Sequence, residues 1–443
     1  MATVLSSLML LIAAVVVAIG VYGPTQIYQD FFTTFRTATE SPLFTSLLNT
    51  GLGYINITSL LAFSLLSGLI YATRLAYNFL FNPMEHYGSE AETAYNIIKP
   101  SPGKTTEERM REMKQRRDIG DIPPVYPNGW FVVIRSDELK KGETKCVNVL
   151  GMNLAAFRGE SGRSYIVDAY CPHLGANLGM GGKVEGDCIA CPFHGWTFRG
   201  DDGKCVKIHY AEKVPAFAKV KTHRSLEINH LIMLWYHAEG DEPSWFPPEF
   251  EEVKTGQYTY QGFSAVFYDC HIQDVAENHA DKAHFNVLHA SKDPCIGFDF
   301  NLKCEFSEER KHVNVVSTTA VRKNEPLNKW MLEEIGPGLS YYFDETQRAR
   351  FLVSSTPVGP MRQRTMAVGY SGTGIIDRIK TKIAIKVFLQ VASADVLVWA
   401  NKTYRPTPLF VKEDQLIKEH RRWFAQFYTK NSPRYNPNAS LEW

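Results

Sequence analysis

Cys171-Pro172-His173 and Cys191-Pro192-Phe193-His194 stand seventeen residues apart, and each pairs a thiolate donor with an imidazole. A zinc finger groups its donors by kind, Cys with Cys and His with His. Mixed pairs suit a [2Fe-2S] cluster whose two irons carry unlike ligands, thiolates on one and imidazoles on the other. Zinc is the rival reading of any Cys2His2 set. Gly175, Gly179, Gly181, Gly182 and Gly195 crowd these loops, where backbone N–H groups can approach the cluster sulfurs. Cys188 forms Cys-x2-Cys with Cys191 but reads as a structural thiol. A centre of this kind moves one electron at a time, so the chain needs a destination for it.

A second donor set follows about a hundred residues on. The run Glu277-Asn278-His279-Ala280-Asp281-Lys282-Ala283-His284 continues to His289, giving Asp-x2-His-x4-His. His284 and His289 are candidate ligands of a mononuclear Fe(II). With one carboxylate they would form a facial triad that leaves positions open for O2. Five residues turn an ideal helix by ~500°, which sets the two histidines ~140° apart. A break or bulge is therefore expected between them, near Val287. Asp281 shares a helical face with His284 and can accept from the ring nitrogen that is not on the metal. For the carboxylate ligand, Asp395 is preferred: it sits in the apolar run Val387 to Trp399, where an unpaired carboxylate is costly. The alternative is the polar face of an amphipathic helix. Glu413 and Asp414 are weaker candidates in polar surroundings. His271 and His279 read as non-ligands.

The elements that position these donors are legible in outline. Trp130–Ile134, Lys145–Leu150, Ala155–Phe157 and Ser164–Val167 read as short strands, which predicts a small antiparallel β domain over 125–240 with the Cys-His loops at its tip. A proline-rich hinge, Pro243 to Pro248, opens a second domain over 241–443. There His271 to His289 reads as mainly helical. His312–Val321, Leu339–Phe343, Ala349–Ser355 and Arg364–Tyr370 read as strands, and Ile375–Thr403 and Lys412–Tyr428 as helices. The predicted class is α+β, helices on an antiparallel sheet.

Bulk composition narrows the rest. The 443 residues exceed one compact core. A net charge of +1 gives no reason to expect a nucleic-acid partner. Of eight cysteines, two belong to the Cys-His loops, and the other six are scattered and suit buried thiols in a reducing compartment better than a disulfide framework. Uncharged runs at 4–22 and 52–73 predict two membrane spans within an anchor over 1–81. A cleaved signal peptide is the alternative for the first and a buried helix for the second. Arg74, Lys99, Lys104 and the basic residues up to Arg117 place the catalytic part on the cytosolic side, which predicts a multi-pass protein of the endoplasmic reticulum. The charged stretch Lys104 to Asp121, within 82–124, reads as a solvated linker, with a place on the membrane surface as the alternative.

Over roughly residues 125 to 430 the chain resembles the Rieske-type non-haem iron oxygenases, and within them the Neverland-type cholesterol 7-desaturases of animals. Bacterial 3-ketosteroid 9α-hydroxylase oxygenase components are cousins. The Cys-His loops, the Glu277 to His289 run, Asp395 followed by Val398-Trp399-Ala400-Asn401-Lys402, Arg422-Trp423-Phe424 and the apolar N-terminus carry the resemblance. It implies a Rieske domain joined to a helix-grip-like catalytic domain. The cluster would be held by Cys171, His173, Cys191 and His194, and the mononuclear iron by His284, His289 and Asp395. NAD(P)H electrons would arrive through a reductase. A ring of subunits, expected to be a homotrimer, would place Asp281 between the two metal sites of neighbours for electron transfer, with Asn278 a further candidate catalytic residue. The implied reaction is cholesterol to 7-dehydrocholesterol with O2, an early step of steroid hormone synthesis. Hydroxylation of another steroid, lipid or chlorophyll-type ring is the alternative, and a pure electron carrier a third. Respiratory Rieske proteins carry a disulfide and a serine where this chain has Ala176, Phe193 and Trp196, so a lower potential is expected. The pocket should be apolar, with Phe298, Tyr341, Tyr342, Phe343 and Phe351 as lining candidates.

Overall fold

The computed structural model describes residues 57–88, 103–289, 299–322, 325–344 and 348–436. The chain divides into two units, Met1–Asn82 and Pro83–Trp443. The described part of the first is the helix α1 (Ile57–Phe81). Among the described residues no helix is long and apolar enough to cross a membrane. Ser59, Ser64, Ser67, Arg74 and Asn78 interrupt the apolar run of α1, which lowers its hydropathy below that of a span. This corrects the expected span at 52–73 and with it the two-span, multi-pass endoplasmic-reticulum placement. The other expected span, 4–22, lies outside the described residues.

The second unit opens with β1 (Met84–Tyr87). The stretch expected to be a solvated linker contains a helix, α2 (Thr106–Arg116). Its start is a capping box. The Glu108 N–H donates to the Thr105 hydroxyl at 3.2 Å and the Thr105 N–H donates to the Glu108 carboxylate at 2.8 Å. Just beyond, Arg117 donates to the backbone carbonyls of Asp269, Trp399 and Lys402 at 2.8, 2.6 and 3.1 Å. Arg117 thus ties the backbone at Asp269 to the end of the helix that carries Asp395.

The cluster-bearing part is built from β2 (Gly129–Arg135), β3 (Thr144–Val149), β4 (Met152–Arg158), β5 (Ser164–Asp168), β6 (Lys183–Glu185), β7 (Cys188–Ala190), β8 (Thr197–Arg199), β9 (Cys205–Lys207), β10 (Thr222–His223), β11 (Ser225–Ile228) and β12 (Leu231–Tyr236). They form three small antiparallel sheets, ordered β10-β5-β4-β3, β11-β12-β2 and β6-β7-β8-β9. The four strands expected from sequence are β2 to β5.

The remainder comprises α3 (Glu251–Lys254), β13 (Thr259–Tyr268), α4 (Ile272–Glu277), α5 (Lys282–His284), β14 (Asp299–Phe306), β15 (Val313–Arg322), β16 (Glu325–Ile335), β17 (Leu339–Asp344), β18 (Ala349–Gly359), β19 (Arg362–Ser371), α6 (Ile375–Trp399) and α7 (Gln415–Ala425). One eight-stranded sheet runs β1-β13-β19-β18-β17-β16-β15-β14, antiparallel except where β1 joins β13. Its two faces follow the two-residue strand period. Leu339 and Tyr341, with Leu352, Val368 and Tyr370, pack against Trp130, Val132 and Met233 of the three-stranded sheet. Arg364 and Thr356 fasten that contact by donating to the Val132 carbonyl at 2.7 and 2.9 Å. The other face offers Trp330, Leu332 and Glu334 at alternate positions of β16, and α6 covers it to leave a cavity.

Candidate metal centres and the cavity between sheet and helix

The two Cys-His loops are copies of one turn. Cys171 N–H donates to Ala176 and Gly175 N–H returns to the Cys171 carbonyl, at 2.9 and 3.0 Å. Cys191 N–H donates to Trp196 and Gly195 N–H returns to the Cys191 carbonyl, at 2.8 and 3.1 Å. The fourth residue after each cysteine has positive φ, +75° at Gly175 and +68° at Gly195. A Cβ at Gly195 would also lie 2.8 Å from the His209 ring, so two constraints select glycine there. The second loop joins β7 to β8; the first follows β5.

These loops fit a cluster. Both cysteines are buried, and the His173 and His194 rings lie 4.8 Å apart. Burial pushes the Cys171 thiol up to about 11, and the neighbouring Cys191 adds to it. A bound metal cation is what converts such thiols to thiolates. His173 Nδ1 is buried without a hydrogen-bond partner, as expected of a nitrogen whose partner is a metal. Trp196 stacks on His173 at 4.8 Å and its indole N–H donates to the Tyr210 hydroxyl at 2.8 Å. Leu174, Met180 and Phe193 stand exposed around the loops. Cys188 lies in β7, paired with Arg199.

The second donor set converges as expected. His289 Nε2 is 3.2 Å from Asp395 Oδ1, His284 Nε2 is 3.8 Å from it, and the three donor atoms lie within 4.8 Å of one another. Donors about 3 Å apart are what a metal with bonds of roughly 2.1 Å and right-angled ligands requires. The break expected near Val287 is a π-helical turn over Phe285–His289. Its i→i+5 bonding widens the turn and brings residues five apart onto one side. Asp395 is 5% exposed, and its cavity-facing stripe is Ala384, Phe388, Val391, Asp395 and Trp399, the spacing of one helical face. A carboxylate in that stripe requires a counter-charge. Glu413 and Asp414 sit in a short 3-10 turn, and Asp414 accepts from the Val411 N–H rather than joining the histidines. His271 caps α4.

One detail differs from expectation. The partner of His284 Nδ1 is the backbone carbonyl of Asp281, at 2.6 Å, and not its carboxylate, which stands 3.7 Å away. Asp281 is the N-cap of α5, and its Oδ1 accepts from the N–H groups of Ala283 and His284 at 3.0 and 3.1 Å. A carbonyl can only accept, so Nδ1 carries the proton and the Nε2 lone pair points to the metal position. His284 Nε2 is buried without a hydrogen-bond partner, which fits a metal there.

The donors border a cavity of about 350 Å³, within the usual range of small-molecule sites. Val275, Leu332, Val387, Phe388 and Val391 make most of it apolar. Of the aromatic candidates, Tyr342 lines it. Tyr341 and Phe343 point to the opposite sheet face, and Phe351 packs with Ile385; Phe298 lies outside the described residues. Asn278 borders the cavity and accepts from the Trp399 indole at 3.3 Å.

Sequence reading missed a buried polar group beside it. Glu334 accepts from His279 Nδ1 at 2.8 Å, Asn314 Nδ2 at 2.5 Å and His420 Nε2 at 3.3 Å, and His279 Nε2 lies 3.0 Å from the Tyr342 hydroxyl. Burial alone would raise the Glu334 pKa, but His420 and His279 hold it down at about 2. Two ion pairs anchor α4 nearby. Arg421 grips Glu277 at 2.5 and 2.9 Å, and Lys402 meets Asp274 at 2.5 Å.

The Rieske [2Fe-2S] domain profile matches residues 129–218, and that of the 3-ketosteroid 9alpha-hydroxylase C-terminal domain matches 234–428. A cholesterol 7-desaturase nvd of Xenopus laevis is 38% identical over 395 residues, covering 83% of this chain and 86% of the relative. The chain belongs to the Rieske-type non-haem iron oxygenases, in the nvd group. Membership brings the family's two cofactors, a [2Fe-2S] cluster and a mononuclear iron, which the two donor sets fit. A probable 3-ketosteroid-9-alpha-monooxygenase oxygenase component of Rhodococcus rhodochrous is more distant, 28% identical over 73% of this chain and 84% of its own. Dicamba monooxygenase bound to dicamba shares the fold, with a TM-score of 0.55, 17% identity, and coverage of 69% of this chain and 98% of that one.

Proposed function

We propose that this protein is a cholesterol 7-desaturase. Cholesterol, O2, two electrons and two protons give 7-dehydrocholesterol and two waters, with the electrons drawn from NAD(P)H through a separate reductase. The observation that carries this reading is the convergent His284, His289 and buried Asp395 set opening on a largely apolar cavity, in a chain 38% identical to a named cholesterol 7-desaturase. When bound, the cluster relays single electrons and the mononuclear iron activates O2.

Cys171, His173, Cys191 and His194 hold the cluster in the 125–240 domain, and His284, His289 and Asp395 hold the iron in the 241–443 domain. The carbonyl of Asp281 fixes the His284 tautomer. The apolar walls exclude water from the reacting carbons, and Asn278 ties the ligand-bearing turn to the end of α6. In a ring of three copies, the half-buried carboxylate of Asp281 mediates electron transfer between the cluster of one copy and the iron of the next. Its uncapped Oδ2 supports that role.

The test supplies the purified protein, loaded with both metals, with cholesterol, a Rieske-type reductase and NADPH. The expected product is 7-dehydrocholesterol. Turnover of another steroid or lipid, with cholesterol untouched, would replace this reading with a hydroxylase one.

A further inference from the structure

Apart from the metal donors, Tyr342, His279 and Glu334 bring convergent polar groups to the cavity; Ser355 and Thr365, which also line it, are hydrogen-bonded to each other at 3.0 Å. We propose that the Tyr342 hydroxyl anchors the hydroxyl group of the sterol, and that the His279–Glu334–His420 chain sets it as a hydrogen-bond acceptor, so that the site selects hydroxysterols over ketosteroids. This rests on the sterol reading above and adds the residue that decides which end group is accepted.

The polarity follows from the far end of the chain inward. Glu334 is an ionised carboxylate and can only accept. Its partner nitrogen on His279, 2.8 Å away, is therefore the protonated Nδ1. With His279 in the neutral tautomer protonated at Nδ1, the ring presents a lone pair at Nε2, and the Tyr342 hydroxyl, 3.0 Å off, donates its proton to it. With that proton committed, the phenol oxygen has only lone pairs to offer the cavity. A sterol hydroxyl can donate to it; a ketone or an ether cannot.

The anchor is also held still. The Tyr342 ring meets Phe388 edge to face at 4.7 Å, and β16 supplies Glu334 from the sheet floor while α7 supplies His420. His420 is fully buried and Glu334 is nearly so, so the chain cannot turn to water when a ligand with the wrong end group arrives. Such fixed polarity is how a pocket rejects a near-isosteric ligand, because a buried acceptor left facing another acceptor loses its hydration without compensation.

The experiment is equilibrium binding to the metal-loaded protein, read by displacement of a fluorescent sterol. The three competitors are cholesterol, its 3-keto analogue and its 3-methyl ether. Wild type should bind cholesterol at least about tenfold more tightly than either of the others. Tyr342→Phe, which keeps the ring against Phe388, should weaken cholesterol about tenfold and leave the ketone within about twofold. Equal binding of hydroxyl and ketone by wild type, or cholesterol binding unchanged in Tyr342→Phe, would overturn the anchor. Turnover separates the two readings. A hydroxyl preference that depends on Tyr342 without any 7-dehydrocholesterol would sink the desaturase and keep the anchor. Formation of 7-dehydrocholesterol with Tyr342→Phe indistinguishable from wild type would do the reverse. Binding of none of the three sterols removes both.

Discussion

Replacing Glu334 with Gln keeps the volume of the side chain and removes the charge at the centre of the buried network. Two carboxylate oxygens now serve three donors, from His279, Asn314 and His420. An amide has one acceptor oxygen, so at least one N–H would face an NH2 group with no water to turn to. Hydrogen bonds to a charged group contribute about 1.5–3 kcal/mol each, and a stranded buried donor costs about 1–3 kcal/mol. A loss of about 3–5 kcal/mol follows, the range seen when one side of a buried ion pair is removed. For a domain of roughly 200 residues that lowers the melting midpoint by roughly 10 °C. The pH dependence has a definite sign. The folded pKa of Glu334 is about 2 against an ordinary 4.5. The stabilisation is therefore complete above about pH 4.5 and disappears as the pH falls through about 2. Melting of wild type and Glu334→Gln, followed by circular dichroism, should show a constant gap between about pH 6 and 8 and a shrinking gap by about pH 3.5. A gap under about 3 °C at neutral pH, or one that widens on acidification, would refute the assignment of an ionised Glu334.

Three further outcomes test the metal sites. His284→Ala should abolish mononuclear iron binding and turnover yet leave the visible spectrum of the cluster intact; loss of that spectrum would mean the two sites are misassigned. Asp281→Asn can still cap α5, so both metals should remain bound while electron transfer slows by about 10–100-fold in single-turnover kinetics. An unchanged rate would remove its role between sites. Redox titration of the cluster should give a midpoint in the lower part of the roughly −150 to +300 mV span of Rieske centres, because Ala176, Phe193 and Trp196 supply neither a disulfide clamp nor a hydroxyl donor.

Donor residues announced themselves because their chemistry is rare and their spacing tight. Both Cys-His loops, the His284–His289 pair and Asp395 were legible for that reason, and the helical break followed from the angle five residues subtend. The strands β2 to β5 and β15 were legible too, as short runs rich in apolar and β-branched residues between Gly, Asn and Asp. β16 was not, since Glu325-Pro326-Leu327-Asn328-Lys329 mixes polar and apolar residues without a two-residue period. That gap concealed Glu334, a carboxylate at a cavity-facing position whose partners His279 and His420 come from elements far apart in sequence. Position in sequence could not reveal that His279 belongs to a network. The capping box at Thr105 was visible in sequence but was masked by the charge density around it. The apolar run at 52–73 misled because uncharged composition alone does not reach the hydropathy a span needs.

The π-turn between His284 and His289 makes the iron site vulnerable to a change in chain length more than to a change in side chain. Loss of a single residue among Phe285 to Leu288 would put the histidines four apart, where an ordinary α-helix aligns them without any bulge. That regular spacing is the one found in helical zinc sites. The extra residue in the turn therefore sets how the two rings face Asp395, and shortening the turn would shift the register of His289 against that carboxylate.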